Sequence, residues 1–193
     1  MIFLIRVRSK LMSILNLFKL IIKFKNFSII NQVKVNNFLT FRGASINDLE
    51  QLMLIYKKLN GIELSANNIK LLKYCSKKLV VIAEKEIDGR KKIVGMDLFY
   101  MNPRDFKEST MHEGFIGVLP EYEGQGIATQ MRKHAITHFN QAGFTGISTR
   151  ISKNNIGSLR SAEKLGFKSI EEYYDEIMRE ERYYLVLSFN KRN

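Results

Sequence analysis

From about Val35, hydrophobic positions follow two patterns in turn: alternation, which is typical of strands, and spacings of three and four residues, which are typical of helices. Alternation predicts a strand over NFLTFRG. Spacings of three and four residues predict a helix over INDLEQLMLIYKKLN, with Ser45 and Asp48 as its cap, and another over ANNIKLLKYCSKK, capped by Ser65. Three further strands are predicted over LVVIAEKE, KIVGMDLFYM and HEGFIGVL.

The second half of the chain continues with single helices between strands. A helix is predicted from Gly126 to about Gln141, ended by Gly143, and a shorter one from Ile156 to Leu165, closed by Gly166. Strands are predicted over GISTRIS, FKSIEEYYDEI and RYYLVLSF. Hairpin-linked strands followed by a strand-helix-strand unit predict an α/β fold with one mixed sheet and helices on both faces.

The first part of the chain has a different pattern. Between Met1 and Lys25, Leu, Ile and Phe alternate with returning Lys and Arg, and an apolar helical face is formed by Leu11, Ile14, Leu15, Phe18 and Ile22. We therefore divide the chain into a basic amphipathic extension, residues 1–36, and a domain, residues 37–193. Such a helix suits the surface of an anionic membrane. The alternatives are docking on its own domain or on a partner, and a true start at Met12.

Composition and charge narrow the function classes. With 193 residues and 45% hydrophobic residues, the chain is long enough for one globular domain, and its net charge is +12. Eight of the positive charges and no acid lie in residues 1–47, so the remainder has 23 basic and 19 acidic residues. This remainder lacks a concentrated basic run with aromatic neighbours, so we do not expect nucleic-acid binding.

The cysteine content and the length of the apolar runs indicate where in the cell the protein resides. Cys75 is the single cysteine, which excludes an intramolecular disulfide and favours a reducing compartment. Charges interrupt every apolar run before it is long enough to span a bilayer, and no secretory signal is evident. We expect a cytoplasmic protein, either free or peripheral at the inner face of a membrane through residues 1–25.

The stretch VLPEYEGQGIATQMRKH is the densest chemical signal. Gly124 and Gly126 stand where a loop meets a helix, so that free backbone N–H groups point at an anion. A dinucleotide fold is disfavoured, because Leu119 to Glu123 separate the glycines from the strand and no acid follows near Arg150.

A second stretch, NNIGSLRSAEKLGF, follows a strand and ends in Gly-Phe. Together the two stretches resemble the GNAT superfamily of N-acetyltransferases over roughly residues 37–190. Gly126 and Ala128 match that family's first segment, and its second is matched by Asn155, Ser158, Lys164, Gly166 and Phe167. Glu123 departs from the usual Arg or Gln, and Ala162 from the usual tyrosine.

The resemblance implies an acetyl-CoA site and a mostly antiparallel GNAT-like sheet. Pantetheine would lie where the strand of Val118 splays from the strand ending near Ser152, and the pyrophosphate would meet Gly124 to Thr129. Cations available for the CoA phosphates are Arg132, Lys133, Lys153 and Arg160. The implied cofactor-binding residues are Ile116, Val118, Glu123, Gly124, Gln125, Gly126, Ile127, Ala128, Thr129, Asn155 and Lys164.

The same resemblance implies catalytic roles. Glu113 is the candidate base for the amine, and neighbouring His112, which would point to the opposite face, is the reserve. Because a tyrosine is missing at Ala162, Ser158 becomes the candidate acid for the leaving thiolate. The Val118 N–H would polarise the carbonyl. Each side chain is equally compatible with an ordinary structural role.

The sequence thus predicts an acetyl-CoA-dependent N-acetyltransferase that acts on a primary amine by direct ternary-complex transfer. The alternative is a non-catalytic acyl-CoA-binding module with a basic helix for membrane or partner attachment. The acceptor is a small molecule or peptide, with Tyr173 and Tyr174 as candidates for its pocket, and a homodimer is possible. No metal is expected, because His134 and His138 lack the accompanying glutamate of a zinc-protease motif.

Overall fold

Eight strands and five α-helices make up the part of the chain that the structure describes. This structure is a computed structural model that describes residue 24, residues 27–36 and residues 38–189. The strands are β1 (Val33–Lys34), β2 (Leu39–Gly43), β3 (Val80–Ile87), β4 (Arg90–Tyr100), β5 (Thr110–Val118), β6 (Gly146–Ser152), β7 (Lys168–Asp175) and β8 (Glu180–Ser188). The helices are α1 (Leu49–Asn60), α2 (Ala66–Leu79), α3 (Pro103–Glu108), α4 (Ile127–Gln141) and α5 (Ile156–Lys164).

The strands form a single sheet in the order β1-β2-β3-β4-β5-β6-β8-β7. Neighbouring strands are antiparallel except β5 and β6, which are parallel. A parallel pair needs a crossover connection, and α4 supplies it. The predicted mixed α/β, mostly antiparallel sheet is confirmed.

Buried side chains lie on both faces of the sheet. Along β3, Val81 and Ala83 join a cluster that includes residues of α4 and α5, whereas Val80 and Ile82 join a second cluster that includes residues of α1. Because successive strand residues point to opposite faces, the two clusters lie on opposite sides of the sheet. We call them the α4 face and the α1 face.

The helix boundaries follow the predicted caps closely. Ser65 Oγ accepts from Asn68 N at 3.2 Å, and both the backbone N–H and the hydroxyl of Ser45 donate to Asp48, at 2.6 and 2.8 Å. A 3₁₀ turn, Ile46–Asp48, precedes α1. Among the described strands and α-helices, two were not predicted. These are the two-residue strand β1 and the helix α3, where the backbone N–H groups of residues 104 and 105 donate to the Asn102 side chain.

Strands β5 and β6 part in the middle of the sheet. Their pairing runs from Thr110 opposite Gly146 to Glu113 opposite Thr149, although both strands continue. Beyond this point residues 114–118 have no strand partner on the β6 side among the described residues. The splay expected between the two strands is therefore present.

The described residues before β1 pack against the domain. Phe24 and Ile30 are almost fully buried, and the backbone N–H of Ile30 donates to the carbonyl of Lys77 at 2.8 Å. Apart from Phe24, the predicted amphipathic helix of residues 1–25 lies outside the described residues. The division at residues 36 and 37 stays a prediction. None of the described helices combines the length and the apolar character needed to cross a bilayer.

Candidate acetyl-transfer site

Two cavities meet where β5 and β6 part. The first, of about 470 Å³, extends to the loop before α4 and to the start of α5. The second, of about 660 Å³, extends to the end of α1 and to the β7–β8 hairpin. We name them after the roles that the sequence resemblance implies, the cofactor-side cavity and the acceptor-side cavity. They share a lining of Ile116, Gly117, Val118, Glu123, Arg132, Asn155 and Ser158.

A bulge in β5 turns its side chains at the junction. Glu113 lies opposite Phe99 and Phe115 lies opposite Leu98, so Gly114 is the extra residue. A side chain at residue 114 would displace the Tyr100 ring, because a Cβ atom there would lie 2.0 Å from a ring carbon of Tyr100. Since the alternation shifts by one residue, Ile116 and Val118 share the α4 face with Glu113.

The backbone at the end of β5 is exposed to the gap. The N–H of Leu119 donates to the carbonyl of Val94 on β4 at 2.8 Å. Backbone N–H groups alternate between the two edges of a strand, so the N–H of Val118 points away from β4 and into the gap. This geometry supplies a preorganised donor for a carbonyl oxygen.

The loop before α4 is shaped for close approach to an anion. Gly124 and Gly126 have φ values of +73°, and no atom of the described residues lies within 4 Å of a Cβ placed at either position. Gly126 is the N-cap of α4 and leaves the first N–H groups of that helix free for a ligand. The adjoining cavity is lined by Gly124, Gly126, Ile127, Ala128 and Thr129.

Ser158 stands at the junction of both cavities, in the first turn of α5. Its backbone N–H donates to the Asn155 side chain at 3.0 Å, which caps the helix. Its Oγ accepts a hydrogen bond from Arg132 at 2.9 Å. Ala162, one turn later, is fully buried in the α4-face cluster. Of Ser158 and Ala162, only Ser158 therefore has a side chain that lines the two cavities.

Arg132 joins the two candidate catalytic residues. Its Nε and Nη2 each donate to a different oxygen of Glu113 at 2.8 Å, and Thr149 donates to Glu113 Oε2 at 3.0 Å. The side chains of Arg132 and Glu113 are 1% and 2% exposed. Burial opposes the charge of Arg132, but the Glu113 ion pair outweighs this cost and the pKa of Arg132 is raised. Arg132 is thus engaged inside the protein rather than at a CoA phosphate.

Asp97 on β4 adds a second buried carboxyl group to this cluster. It is fully buried, and neither of its side-chain oxygens has a hydrogen-bond partner among the described residues. Burial raises its pKa well above the usual value, the nearby charge of Glu113 raises it further, and Arg132 opposes the shift. Its burial beside Glu113 therefore favours the protonated form of Asp97.

His112 lies on the opposite face from Glu113, as expected from the alternation. It pairs with Tyr100 and Ser148 on the neighbouring strands, and Nδ1 is 2.7 Å from Ser148 Oγ. Ser148 in turn donates to Asp105 at 2.6 Å. Burial lowers the pKa of His112 to about 4, so the ring is neutral at physiological pH. His112 is 2% exposed and lines neither cavity.

Not every sequence-predicted residue reaches the cavities. Gln125 is exposed and accepts a hydrogen bond from Lys85 at 3.2 Å, and Lys164 is exposed at the C-terminal end of α5. Neither lines a cavity, and nor do Tyr173 and Tyr174. Of the proposed phosphate-binding cations, Lys133 and Arg160 are exposed, whereas Lys153 pairs with Glu172.

Sequence reasoning missed the residues that surround the acceptor-side cavity. The β7–β8 hairpin contributes Met178, Glu180 and Arg182 instead of the tyrosines, and Asn60 and Arg150 complete this part of the lining. The only signal was the position of the hairpin beside the expected acceptor site. Which of its side chains face the cavity depends on strand pairing, which no local motif encodes.

Comparison with known proteins identifies the family. The sequence profile of the acetyltransferase (GNAT) family matches residues 49–167, well over half of the chain. The chain therefore belongs to the GNAT acetyltransferase family, whose members carry out acetyl transfer. No curated protein matches the sequence.

Solved structures share the fold at low sequence identity. Arabidopsis thaliana Naa50, in complex with the bisubstrate analogue CoA-Ac-MVNAL, is 18% identical, with a TM-score of 0.64 over 78% of this chain and 99% of that one. The ribosomal-protein-S18-alanine N-acetyltransferase from Escherichia coli is 16% identical, with a TM-score of 0.61 over 80% and 96%. Diaminobutyrate acetyltransferase EctA from Paenibacillus lautus, in complex with L-2,4-diaminobutyric acid and coenzyme A, is 21% identical, with a TM-score of 0.63 over 80% and 98%.

Proposed function

We propose that this protein transfers the acetyl group of acetyl-CoA directly to a primary amine within a ternary complex. The observation that carries the proposal is the meeting of two cavities at the parting of β5 and β6. Acetyl-CoA occupies the cofactor-side cavity, and the amine enters from the acceptor-side cavity. This arrangement brings two reactants together without a covalent acetyl-enzyme.

The cofactor is held mainly by backbone groups. Its pyrophosphate binds the free N–H groups at the start of α4, next to Gly124 and Gly126. Its pantetheine arm pairs with the unpartnered edge of residues 116–118, as an added strand does. The exposed carboxylate of Glu123 does not remove these backbone donors, so its departure from the family pattern is compatible with CoA binding.

The reaction needs a neutral amine, a polarised carbonyl and a proton for the thiolate. The amine nitrogen attacks the thioester carbonyl while the Val118 N–H stabilises the developing oxyanion. Glu113, which lines the acceptor-side cavity, receives the ammonium proton through water. Collapse of the intermediate breaks the C–S bond, and Ser158 donates its proton to the departing CoA thiolate. The attacking nitrogen loses its extra proton through solvent to the Ser158 oxygen, which gives the neutral N-acetyl product.

The hydrogen bond between Arg132 and Ser158 supports this direction of proton transfer. Ser158 Oγ accepts from Arg132, which leaves the hydroxyl hydrogen free to be donated elsewhere. Proton transfer through solvent then regenerates the serine hydroxyl. The buried ion pair holds Glu113 and Ser158 in fixed positions on β5 and α5.

Two-substrate kinetics test the proposal. The protein is assayed for CoA release and N-acetyl product with acetyl-CoA and L-lysine, spermidine, glucosamine or a short peptide. For accepted amines, direct transfer predicts intersecting double-reciprocal plots and no acetylated protein by intact mass. Parallel plots with an acetylated protein would contradict it. Acetyl-CoA binding without product, unchanged by Glu113→Gln and Ser158→Ala, would favour the non-catalytic acyl-CoA-binding alternative.

A further inference from the structure

The acceptor-side cavity contains two arginines on the same face of the sheet. Arg150 is the first β6 residue beyond the last pair between β5 and β6. On β8, Tyr184 lies opposite Arg150, and Arg182 lies opposite Ser152. Residues opposite each other or two apart share a face, so Arg150 and Arg182 both extend from the α1 face. Both line the cavity that we propose for the amine.

The guanidinium of Arg182 lies within ion-pair distance of two acids but forms a hydrogen bond with neither. One N–H group donates to the backbone carbonyl of Arg150 at 2.8 Å, which fixes the side chain. Asp175 and Glu180 each approach at 3.6 Å, which is too long for a hydrogen bond. Its buried Nε has no hydrogen-bond partner among the described residues. Arg182 therefore retains donors for a ligand.

The guanidinium of Arg150 has fewer acidic neighbours than that of Arg182. Its guanidinium carbon lies 5.9 Å from the centre of the Tyr184 ring, and no ion pair to it occurs within the described part of the chain. The other acids in the lining are Glu113, which is bound to Arg132, and Glu123 and Glu180. An acceptor with an amine alone would use none of the N–H donors of Arg150, whose side chain is exposed.

We propose that the acceptor is a small amine that also carries a carboxylate, and that Arg150 and Arg182 bind this carboxylate. Guanidinium groups suit carboxylates because their N–H groups match the two oxygens in a planar fork. A cavity of about 660 Å³ has the size of a small-molecule site. The inference rests on the proposed function, because it assumes that the amine enters through this cavity.

Binding to the CoA-saturated protein tests the proposal without requiring turnover. Isothermal titration compares glycine, L-lysine, L-glutamate and 4-aminobutyrate with the corresponding carboxamides. We expect at least one acid to bind about tenfold or more tightly than its amide, as the loss of a charge-assisted hydrogen bond predicts. Arg150→Gln and Arg182→Gln should abolish the difference, and Arg150→Lys should retain part of it.

Arg90→Gln is the matched control, because Arg90 is exposed at the start of β4 and lines neither cavity. It should leave the preference for acids unchanged, and melting temperatures establish that every variant is folded. Equal binding of each acid and its amide, or equal weakening of both by the Arg150 and Arg182 substitutions, would overturn the proposal.

Two further outcomes separate this proposal from its premise. A peptide that binds equally well with a C-terminal acid or amide, and more tightly than every amino acid, would overturn the small-acceptor proposal while leaving acetyl transfer intact. Arginine-dependent binding of acids without any acetylated product would support the carboxylate site and contradict the proposed transferase function.

Discussion

Glu113 on β5 and Arg132 on α4 form a bidentate ion pair in which both N–O distances are 2.8 Å. The same guanidinium bonds to Ser158 Oγ at 2.9 Å and to the Ser158 carbonyl at 3.0 Å. One buried side chain thus connects the strand, the crossover helix and the helix that surround the junction of the two cavities. The charge of Glu113 is balanced where the amine is expected to lose its proton.

Removal of either partner of this ion pair should strongly destabilise the protein. Glu113→Gln or Arg132→Met leaves a buried charge unpaired, which typically costs about 3–5 kcal/mol. Urea unfolding followed by circular dichroism measures the free energy of unfolding. The double substitution Glu113→Gln with Arg132→Met should cost clearly less than the sum of the two single substitutions. Additive losses would contradict a direct interaction.

Ser158→Ala should lower kcat by about 100-fold while changing the KM for acetyl-CoA little, because general acid catalysis contributes about 10²–10⁴-fold. Rates of CoA release at saturating acetyl-CoA measure the effect. Ser169→Ala, an exposed serine on β7, is the control and should have the parent rate. A kcat for Ser158→Ala within twofold of the parent value would remove Ser158 from the mechanism.

Gly126→Ala should weaken acetyl-CoA binding more than it destabilises the fold. The residue has a φ of +73° at the start of α4, so alanine adds backbone strain of about 1 kcal/mol and a methyl group beside the cofactor-side cavity. Gly143→Ala, with a φ of +84° beyond the other end of α4, adds similar strain far from the cavity. Titration calorimetry should show weaker binding for Gly126→Ala only. Equal affinities in the two variants would refute a role for this loop.

Asp97→Asn should change the pH dependence of stability. In the unfolded chain the carboxyl ionises near pH 4, whereas in the folded protein burial raises its pKa, so that it ionises at higher pH. The folded state then binds more protons, so the contribution of Asp97 to stability falls as pH rises above about 4. The free energy of unfolding, measured from pH 4 to pH 8, should rise for the variant relative to the parent protein as pH increases. A constant difference would mean that Asp97 ionises normally.

Local signals explain which parts of the fold were predictable. The caps at Ser45 and Ser65 and the end of α4 near Gly143 are encoded within a few neighbouring residues, and all three agree with the structure. Helix α3 was not predicted, because its six residues are too few to show a helical period. Strand β1 was not predicted, because its two residues, Val33 and Lys34, form a strand only through their pairing with β2.

From the sequence, only those parts of the site that a single segment forms were predictable. The glycines before α4 act through their own backbone, so their spacing indicated the anion-binding loop. The partner of Glu113 was not predictable, because Arg132 is 19 residues away and the sequence also allows it to bind a CoA phosphate. The same limit applies to Arg150 and Arg182, which are brought together by the register of β6 and β8.

The most direct test of acetyl transfer follows the acetyl group itself. The protein is incubated with acetyl-CoA carrying a ¹³C-labelled acetyl group and with the panel of amines named above, and the products are identified by mass spectrometry. We expect a labelled N-acetyl amine, formed in proportion to protein and to CoA release, with at least one acceptor. A folded protein that binds acetyl-CoA yet forms no labelled product above the protein-free reaction with any acceptor would contradict the account.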